Sequence, residues 1–291
     1  MKRIAWIGTG VMGNSMVSHL IKAAYPVTVF TRTKSKAANL KDRCRICDTI
    51  AEAVADADVV ITMVGYPADV EEVYARAGGV FASAQKGTLC IDMTTSSPTL
   101  AEQLYQTAKS RGMRMLDAPV SGGDIGAANA TLSIMIGGDT ADVEEAKEYF
   151  HHLGKNITHI GGAGAGQHCK MANQIAVAGN IAAATESLHY AQKQGLDPTV
   201  VLKAIASGAA GSWQVSNNGP KIIAEDFSPG FYIHHCVKDL SLAAEEAAKA
   251  GFALPVVNHV LAMYRTLLEE GHGQLGTQAL CKVYRGEREG R

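Results

Sequence analysis

Lys170 and Asn173 are two polar residues with a clear capacity for chemistry. They lie three residues apart near the start of a long helical pattern, so both side chains fall on one face of the predicted helix. An ammonium group and an amide on one face can both reach a carbonyl oxygen, and the ammonium can protonate that oxygen while hydride reaches the carbon. A lysine on a helix is more often a solvated surface residue, and these two residues leave that alternative open.

Two further stretches are candidates for binding a small acid. The run Ser121–Gly123 follows a predicted strand and places a hydroxyl beside unencumbered backbone N–H groups, which suits a carboxylate. An ordinary turn explains the same run equally well. Phe231 and the neighbouring pair Lys238 and Asp239 form the other stretch, although an adjacent lysine and aspartate on a helix are usually a surface pair.

The glycine-rich run from Gly8 to Gly13 indicates what would supply hydride. A short apolar strand precedes it, a helical pattern follows it, and a second strand occupies residues 27–30. Gly8 permits the tight turn, Gly10 lets the backbone approach a pyrophosphate, and Gly13 lets the helix pack closely on the strand. The pyrophosphate would meet free N–H groups at the positive end of the helix dipole. We therefore predict a dinucleotide site, with a structural turn as the alternative.

The residues after the second strand indicate which dinucleotide binds. An enzyme that uses NAD usually has an acid there for the ribose 2′-hydroxyl, but no acid lies between Phe30 and Leu40. Arg32, Thr33 and Lys36 instead offer positive charge and a hydroxyl to a 2′-phosphate. We predict that NADP(H) is preferred and that NAD(H) is possible. A solvated basic loop without a ligand is the alternative.

Composition excludes several classes of protein. The 291 residues suffice for two domains, and the net charge of −1 provides no basic field for nucleic acid or an anionic membrane. No segment resembles a signal peptide or a membrane span, so we expect a cytoplasmic protein. The six cysteines include Cys44 and Cys47, but no second pair has the spacing of a metal site. We expect no metal.

The order of predicted elements gives the fold class. Strands and helices alternate up to a glycine-rich segment at residues 161–166, after which the pattern is almost entirely helical. We predict an α/β Rossmann N-terminal domain at residues 1–162 and an all-α C-terminal domain at residues 163–291. The charged tail at residues 286–291 is expected to fray.

Together these motifs resemble the β-hydroxyacid dehydrogenase family, also called the 3-hydroxyisobutyrate dehydrogenase-like family. They occur in the family's order and spacing and cover nearly the whole chain. The matching stretches are residues 8–13 (GTGVMG), 92–95 (DMTT), 117–123 (DAPVSGG), 166–174 (GQHCKMANQ) and 238–240 (KDL). The chain is most similar to the glyoxylate and succinic semialdehyde reductase branch, in which Arg-Thr after the second strand accompanies NADPH. Thr9 replaces a frequent leucine, and residues 276–280 lack a frequent aspartate.

The resemblance implies roles for individual residues. Lys170 would be the catalytic acid/base and Asn173 would position the substrate. The implied substrate-binding residues are Ser121, Gly122, Gly123, Phe231 and Asp239. The implied cofactor-binding residues are Gly8, Gly10, Val11, Met12, Gly13, Arg32, Thr33, Lys36, Met63, Val64, Thr95 and Lys238.

The expected activity is reversible hydride transfer between a small 3-hydroxy or 2-hydroxy acid and its semialdehyde or keto acid, with NADPH in the reductive direction. Candidate substrates are glyoxylate and the semialdehydes of succinate, methylmalonate and tartronate. Three alternatives are an imine reductase-like enzyme, a phosphogluconate dehydrogenase and a non-catalytic NADP-binding module. The resemblance implies that the first and third usually lack the lysine, and that the second needs a larger helical domain. A homodimer or homotetramer is expected, again from the resemblance.

Overall fold

The computed structural model describes residues 1–284. The charged tail at residues 286–291 lies outside this range. The chain divides into two compact units, the first comprising Met1–Lys170 and the second starting at Met171. The division near residue 162 that the sequence indicates stays a prediction.

A mixed sheet, mostly parallel, forms the centre of the first unit. Within the described residues it has nine strands, in the spatial order β3-β2-β1-β4-β5-β6-β8-β7, with β9 beside β8. Pairing is antiparallel where β8 meets β6 and β7, and parallel elsewhere. The strands are β1 (Ile4–Ile7), β2 (Val27–Phe30), β3 (Arg45–Ile46), β4 (Val59–Thr62), β5 (Leu89–Asp92), β6 (Arg114–Asp117), β7 (Val120–Ser121), β8 (Leu132–Gly137) and β9 (Gly154–Gly161).

Helices cover both faces of this sheet, which explains the uninterrupted apolar sequence of its central strands. Every residue of β1, β4 and β5 is buried. The helices of the first unit are α1 (Val11–Lys22), α2 (Ile50–Val54), α3 (Pro67–Ala75), α4 (Val80–Ser83), α5 (Pro98–Ser110), α6 (Gly123–Ala128) and α7 (Thr140–Phe150), with a 3₁₀ helix at Lys34–Leu40. Thr49 and Ser97 cap α2 and α5 through their hydroxyls, as their sequence positions indicate.

The second unit is built from helices, and its described part contains no strand. Helix α8 (Ala165–Lys193) leads into it and is followed by α9 (Pro198–Ile205), α10 (Gly219–Ala224), α11 (Ile233–Lys249) and α12 (Pro255–Glu269), with a 3₁₀ helix at Thr277–Lys282. Its core includes the fully buried Tyr264 and Leu267. The predicted fold class, a Rossmann domain plus an all-α domain, is confirmed.

Three local predictions were incomplete. Helix α6 was not predicted, because its composition (GDIGAA) favours a turn. The helical pattern of the sequence predicts one helix over residues 212–224, whereas the structure has a π-helical turn, Gln214–Asn218, followed by α10, which starts at Gly219. The sequence predicts a helix from Val237 to Ala250, and α11 begins four residues earlier, at Ile233. Among the described residues, none of the helices has the length and apolarity needed to cross a membrane.

Candidate active site

The glycine-rich loop joins β1 to α1 under strict steric limits. Gly8 has φ +98°, and a Cβ atom there would lie 2.2 Å from the Met63 carbonyl oxygen. A Cβ atom on Gly13 would lie 2.2 Å from the Gly8 carbonyl oxygen, whereas one on Gly10 would meet nothing within 4 Å. Gly8 and Gly13 therefore allow close packing, and Gly10 leaves open space beside the backbone.

The start of α1 is suited to an anion. Gly10 occupies the N-cap position, no side chain caps the helix, and its first turn contains no acidic residue. Val11 is exposed and Met12 half-buried at this end. Free N–H groups and the positive end of the dipole are what a pyrophosphate requires, so these residues fit a dinucleotide.

Alanine substitutions at Gly10 and Gly13 should distinguish an effect on cofactor binding from an effect on stability. Gly13→Ala is expected to lower the free energy of unfolding by about 1–3 kcal/mol, because its Cβ overlaps backbone. Gly10→Ala should leave stability unchanged, since the φ of −64° at Gly10 suits any residue. Its methyl group should nevertheless weaken NADPH binding by filling the space for the pyrophosphate. Thermal unfolding without nucleotide and a fluorescence titration with NADPH measure the two effects; unaltered NADPH affinity in Gly10→Ala would contradict the assignment.

The basic loop after β2 is exposed and contains an ion pair that the sequence did not reveal. Arg32 Nη1 lies 3.2 Å from Oδ1 of Asp69, a residue in the first turn of α3. Lys34 pairs with Asp48. Thr33 and Lys36 are exposed beside them. The positive groups predicted to meet a 2′-phosphate therefore lie together at the surface, and a carboxylate holds one of them.

The ends of β4 and β5 are tied together by hydrogen bonds. The backbone N–H of Val64 donates to Thr94 Oγ1 at 3.0 Å, and the N–H of Thr94 donates to Asp92 Oδ1 at 3.1 Å. Met63 and Thr95 are half-buried in the same two loops. The structure thus joins the loops of Met63, Val64 and Thr95, three residues predicted to contact the cofactor.

Lys170 is buried and not a solvated surface residue. Its side chain is 6% exposed, and Nζ donates to the Val120 carbonyl oxygen at 2.8 Å. Val120 immediately precedes Ser121. The ammonium group therefore lies at the Ser121–Gly123 loop, although fifty residues separate Lys170 from Val120 in the sequence.

The Ser121–Gly123 loop has a backbone that favours glycine. Ser121 ends β7, Gly122 has φ +133° and Gly123 has φ +64°. Successive positive φ values are rare for residues with side chains. The two positive φ values therefore explain why glycines occupy positions 122 and 123, directly after the half-buried Ser121.

Asp117 fastens the helix of Lys170 to the sheet. Its carboxylate accepts hydrogen bonds from the backbone N–H groups of Gly164 and Gln167, both at 2.8 Å. Burial, with a smaller contribution from nearby Asp92, raises the pKa of Asp117 to about 6, against the opposing effect of the two N–H donors. The start of α8 is thereby held at the end of β6.

Stability should depend on pH through Asp117. Because the folded-state pKa exceeds the ordinary value of 3.8, its contribution to stability is greatest below pH 4 and is lost as pH rises to about 6. The shift of roughly two units corresponds to about 3 kcal/mol. We therefore expect the free energy of unfolding of wild type, measured with urea, to fall relative to that of Asp117→Asn as pH rises from 4 to 7. Asp58→Asn is the control: a hydrogen bond from Arg3 N lowers the pKa of Asp58, so the contribution of Asp58 is lost only below about pH 4 and its difference should stay nearly constant from pH 4 to 7. A constant Asp117 difference would contradict the raised pKa.

A second group of predicted residues lies in the second unit and forms a chain of polar contacts. Asn173 Nδ2 donates to Gln174 Oε1 at 2.7 Å, and Gln174 Nε2 donates to Asp239 Oδ2 at 2.6 Å. Lys238 Nζ lies 3.0 Å from Asp239 Oδ1. Asp239 is buried, so this is not the surface pair that an adjacent lysine and aspartate usually form. Phe231 packs partly buried against the core of the unit.

Sequence reasoning gave no individual site role to Asp69, Asp117, Gln167 or Gln174. The sequence does indicate Asp69 as a helix-capping residue, since an acid three residues after Tyr66 fits a capping box. Asp117 lies in the quoted 117–123 motif. The partners of the two glutamines are distant in sequence or depend on side-chain direction, so no local pattern specified them.

Comparison with known proteins shows the family. The sequence model described as the NAD-binding domain of 6-phosphogluconate dehydrogenase matches residues 3–161. The model described as NAD-binding of NADP-dependent 3-hydroxyisobutyrate dehydrogenase matches residues 164–284. The chain belongs to the 3-hydroxyisobutyrate dehydrogenase-like, or β-hydroxyacid dehydrogenase, family. It is an NAD(P)-binding oxidoreductase, as the resemblance implied.

Individual relatives of this oxidoreductase match along nearly their full length. The uncharacterized oxidoreductase YkwC of Bacillus subtilis is 47% identical, over 97% of this chain and 99% of the relative. The 2-hydroxy-3-oxopropionate reductase of Escherichia coli is 38% identical, over 97% of this chain and 96% of the relative. The structure of Mycobacterium tuberculosis 3-hydroxyisobutyrate dehydrogenase with L-serine superposes with a TM-score of 0.90 at 34% identity, over 98% of this chain and 99% of the other.

Proposed function

We propose that this oxidoreductase reduces small aldehydes or ketones bearing a carboxylate, using NADPH, and that the reaction is reversible as a hydroxyacid dehydrogenase. When bound, NADPH supplies the hydride. The protein's own task is to hold the substrate carboxylate, protonate the carbonyl oxygen and keep both groups aligned.

The hydrogen bond from Lys170 Nζ to the Val120 carbonyl oxygen carries this proposal. It fixes an ammonium group beside the Ser121–Gly123 loop, where a hydroxyl and glycine N–H groups are suited to a carboxylate. A short acid held there would bring its carbonyl oxygen toward Nζ. Lys170 would then protonate that oxygen in reduction and remove the proton in oxidation.

The second-unit residues are proposed to act on the same substrate and cofactor. Asn173 follows Lys170 by three residues on α8, and its amide would steady the carbonyl oxygen. Phe231 and Asp239 would border the substrate, and Lys238 would contact the cofactor. The described contacts among Asn173, Gln174, Asp239 and Lys238 support a shared role, because a buried polar chain restricts each side chain to one orientation.

The preference for NADPH rests on the loop after β2. Arg32, Thr33 and Lys36 are exposed there, and the guanidinium group of Arg32 pairs with Asp69. Because the side chain of Arg32 is 79% exposed, this ion pair is weak and leaves the guanidinium group accessible to a phosphate. A 2′-phosphate would then meet a cation and a hydroxyl, with Val11, Met12, Met63, Val64 and Thr95 contributing to the rest of the nucleotide site.

A substrate panel tests the proposal. Tartronate semialdehyde, methylmalonate semialdehyde, succinic semialdehyde and glyoxylate are each offered with NADPH and with NADH, and consumption of the reduced nicotinamide is followed by absorbance. The names of the Escherichia coli and Mycobacterium tuberculosis relatives favour the three- and four-carbon acids. Propionaldehyde, which lacks the carboxylate, is the matched control. Faster turnover of the control than of every acid, or faster turnover with NADH than with NADPH, would contradict the proposal.

A further inference from the structure

Gln167 is buried in the first unit, one helical turn before Lys170 on α8. It is fully buried (0% exposed), and both ends of its amide are used. Oε1 accepts a hydrogen bond from Ser96 N at 2.9 Å, and Nε2 donates to the Thr94 carbonyl oxygen at 2.7 Å. The two bonds fall on either side of Thr95. One side chain therefore fixes the backbone of the loop that carries Thr95.

The backbone of Gln167 is held as firmly as its side chain. Its N–H donates to Asp117 Oδ2 at 2.8 Å, so the first turn of α8 is fastened to the end of β6. Lys170 lies one turn further along, with Nζ on the Val120 carbonyl. A shift of this part of the helix would therefore move Gln167 and Lys170 together, and with them the backbone at Thr95.

We propose that Gln167 is a positioning residue that sets the distance between the Thr95 loop and the Lys170 ammonium group. The inference rests on the proposed function, in which Thr95 lies beside the nicotinamide ribose and Lys170 protonates the substrate. Hydride and proton must reach neighbouring atoms of one carbonyl group, so the groups that align them must keep a fixed separation. Gln167 acts through both of them without touching the substrate.

The chain offers a matched control in Gln278. This glutamine is also buried (2% exposed), and its Nε2 donates to the carbonyl oxygens of Asp226 and Ser228 in the second unit. Gln167→Met and Gln278→Met each remove the same amide from a buried site and keep side-chain volume. Both variants should lose stability, but only the first should disturb the Thr95 loop.

Two measurements on the protein without nucleotide or substrate test the coupling directly. Backbone hydrogen exchange at residues 94–96 should be faster in Gln167→Met than in wild type and unchanged in Gln278→Met. Acetylation of Lys170 by acetic anhydride, followed by mass spectrometry, should accelerate in the first variant only. Wild-type exchange and wild-type acetylation in Gln167→Met would overturn the proposal, whatever reaction the enzyme catalyses.

The kinetic measurement then tests the consequence. Gln167→Met should lose about 10- to 100-fold in kcat, the size expected for a displacement of roughly 1 Å, and less in NADPH affinity, because Thr95 is one of several residues proposed to bind the nucleotide. The primary deuterium isotope effect with deuterated NADPH should increase, because hydride transfer becomes slower than product release. Equal kcat losses in Gln167→Met and Gln278→Met would contradict the positioning role and leave Gln167 with a stabilising role alone.

If Gln167→Met does not fold, Gln167→Glu and Gln278→Glu are measured in place of the methionine variants. Glutamate at position 167 keeps the acceptor for Ser96 N and removes the donor to the Thr94 carbonyl oxygen.

Discussion

Replacing Lys170 with alanine is expected to lower kcat by about 100- to 10,000-fold, the range for loss of a general acid. The buried ammonium group lies at the Ser121–Gly123 loop, where the proposed substrate carboxylate binds, and alanine has no proton to donate there. NADPH affinity should be unchanged, because the glycine loop and Arg32 remain intact. Steady-state kinetics on the best substrate of the panel and a fluorescence titration with NADPH measure the two quantities.

Two further variants separate the charge from packing. Lys170→Met keeps most of the apolar stem and should lose as much turnover as the alanine variant. Lys203→Ala removes an exposed lysine of α9 and should behave as wild type. Turnover within a few-fold of wild type in Lys170→Met would remove Lys170 from the proton-transfer role.

Replacing Arg32 with aspartate should raise the Michaelis constant for NADPH about 10- to 100-fold, since a hydrogen bond to a charged group is worth roughly 1.5–3 kcal/mol. The effect on NADH should be much smaller, because NADH has no 2′-phosphate. The variant also places a second carboxylate beside Asp69, which now pairs with Arg32 at 3.2 Å. Arg32→Gln removes the cation without that repulsion and should show the same selectivity with a smaller change.

The neighbouring lysine provides the control for this prediction. Lys34 belongs to the same basic loop and pairs with Asp48 as Arg32 pairs with Asp69, but it is not among the residues proposed to meet the 2′-phosphate. Lys34→Gln should therefore change the Michaelis constants for NADPH and NADH little and equally. If Arg32→Asp affected both nucleotides equally, the loop would not discriminate between them, and the preference for NADPH would need another origin.

The sequence predicted the sheet because its signals are local. Each central strand is a run of apolar residues that ends at glycine or at a polar loop, and burial on both faces requires that pattern. Helix α6 was not predicted, because Gly123 and Gly126 disfavour a helix. Its packing against α1 is a tertiary contact that the local sequence does not encode. The π-helical turn at Gln214–Asn218 spaces its backbone hydrogen bonds five residues apart in place of four, a local difference that hydrophobic periodicity does not resolve.

The candidate site was predictable in its residue types and much less so in its contacts. Lys170 and Ser121 were identified from their motifs, but the Val120 carbonyl that accepts from the ammonium group is a backbone atom without a sequence signature. Arg32 was identified from the absence of an acid after β2. Asp69 supplies an acid from another strand–helix connection, and sequence distance hid the pair.

The three glycines of the nucleotide loop should also have different fates over evolutionary time. Any side chain at Gly8 or Gly13 would collide with backbone, whereas one at Gly10 would enter empty space. In a duplicated gene whose product is no longer selected for catalysis, Gly8 and Gly13 would be retained for as long as the protein is selected to fold. Gly10 would be the first of the three to be substituted. A residue other than glycine at that position in a folded descendant would therefore indicate that nucleotide binding has been lost.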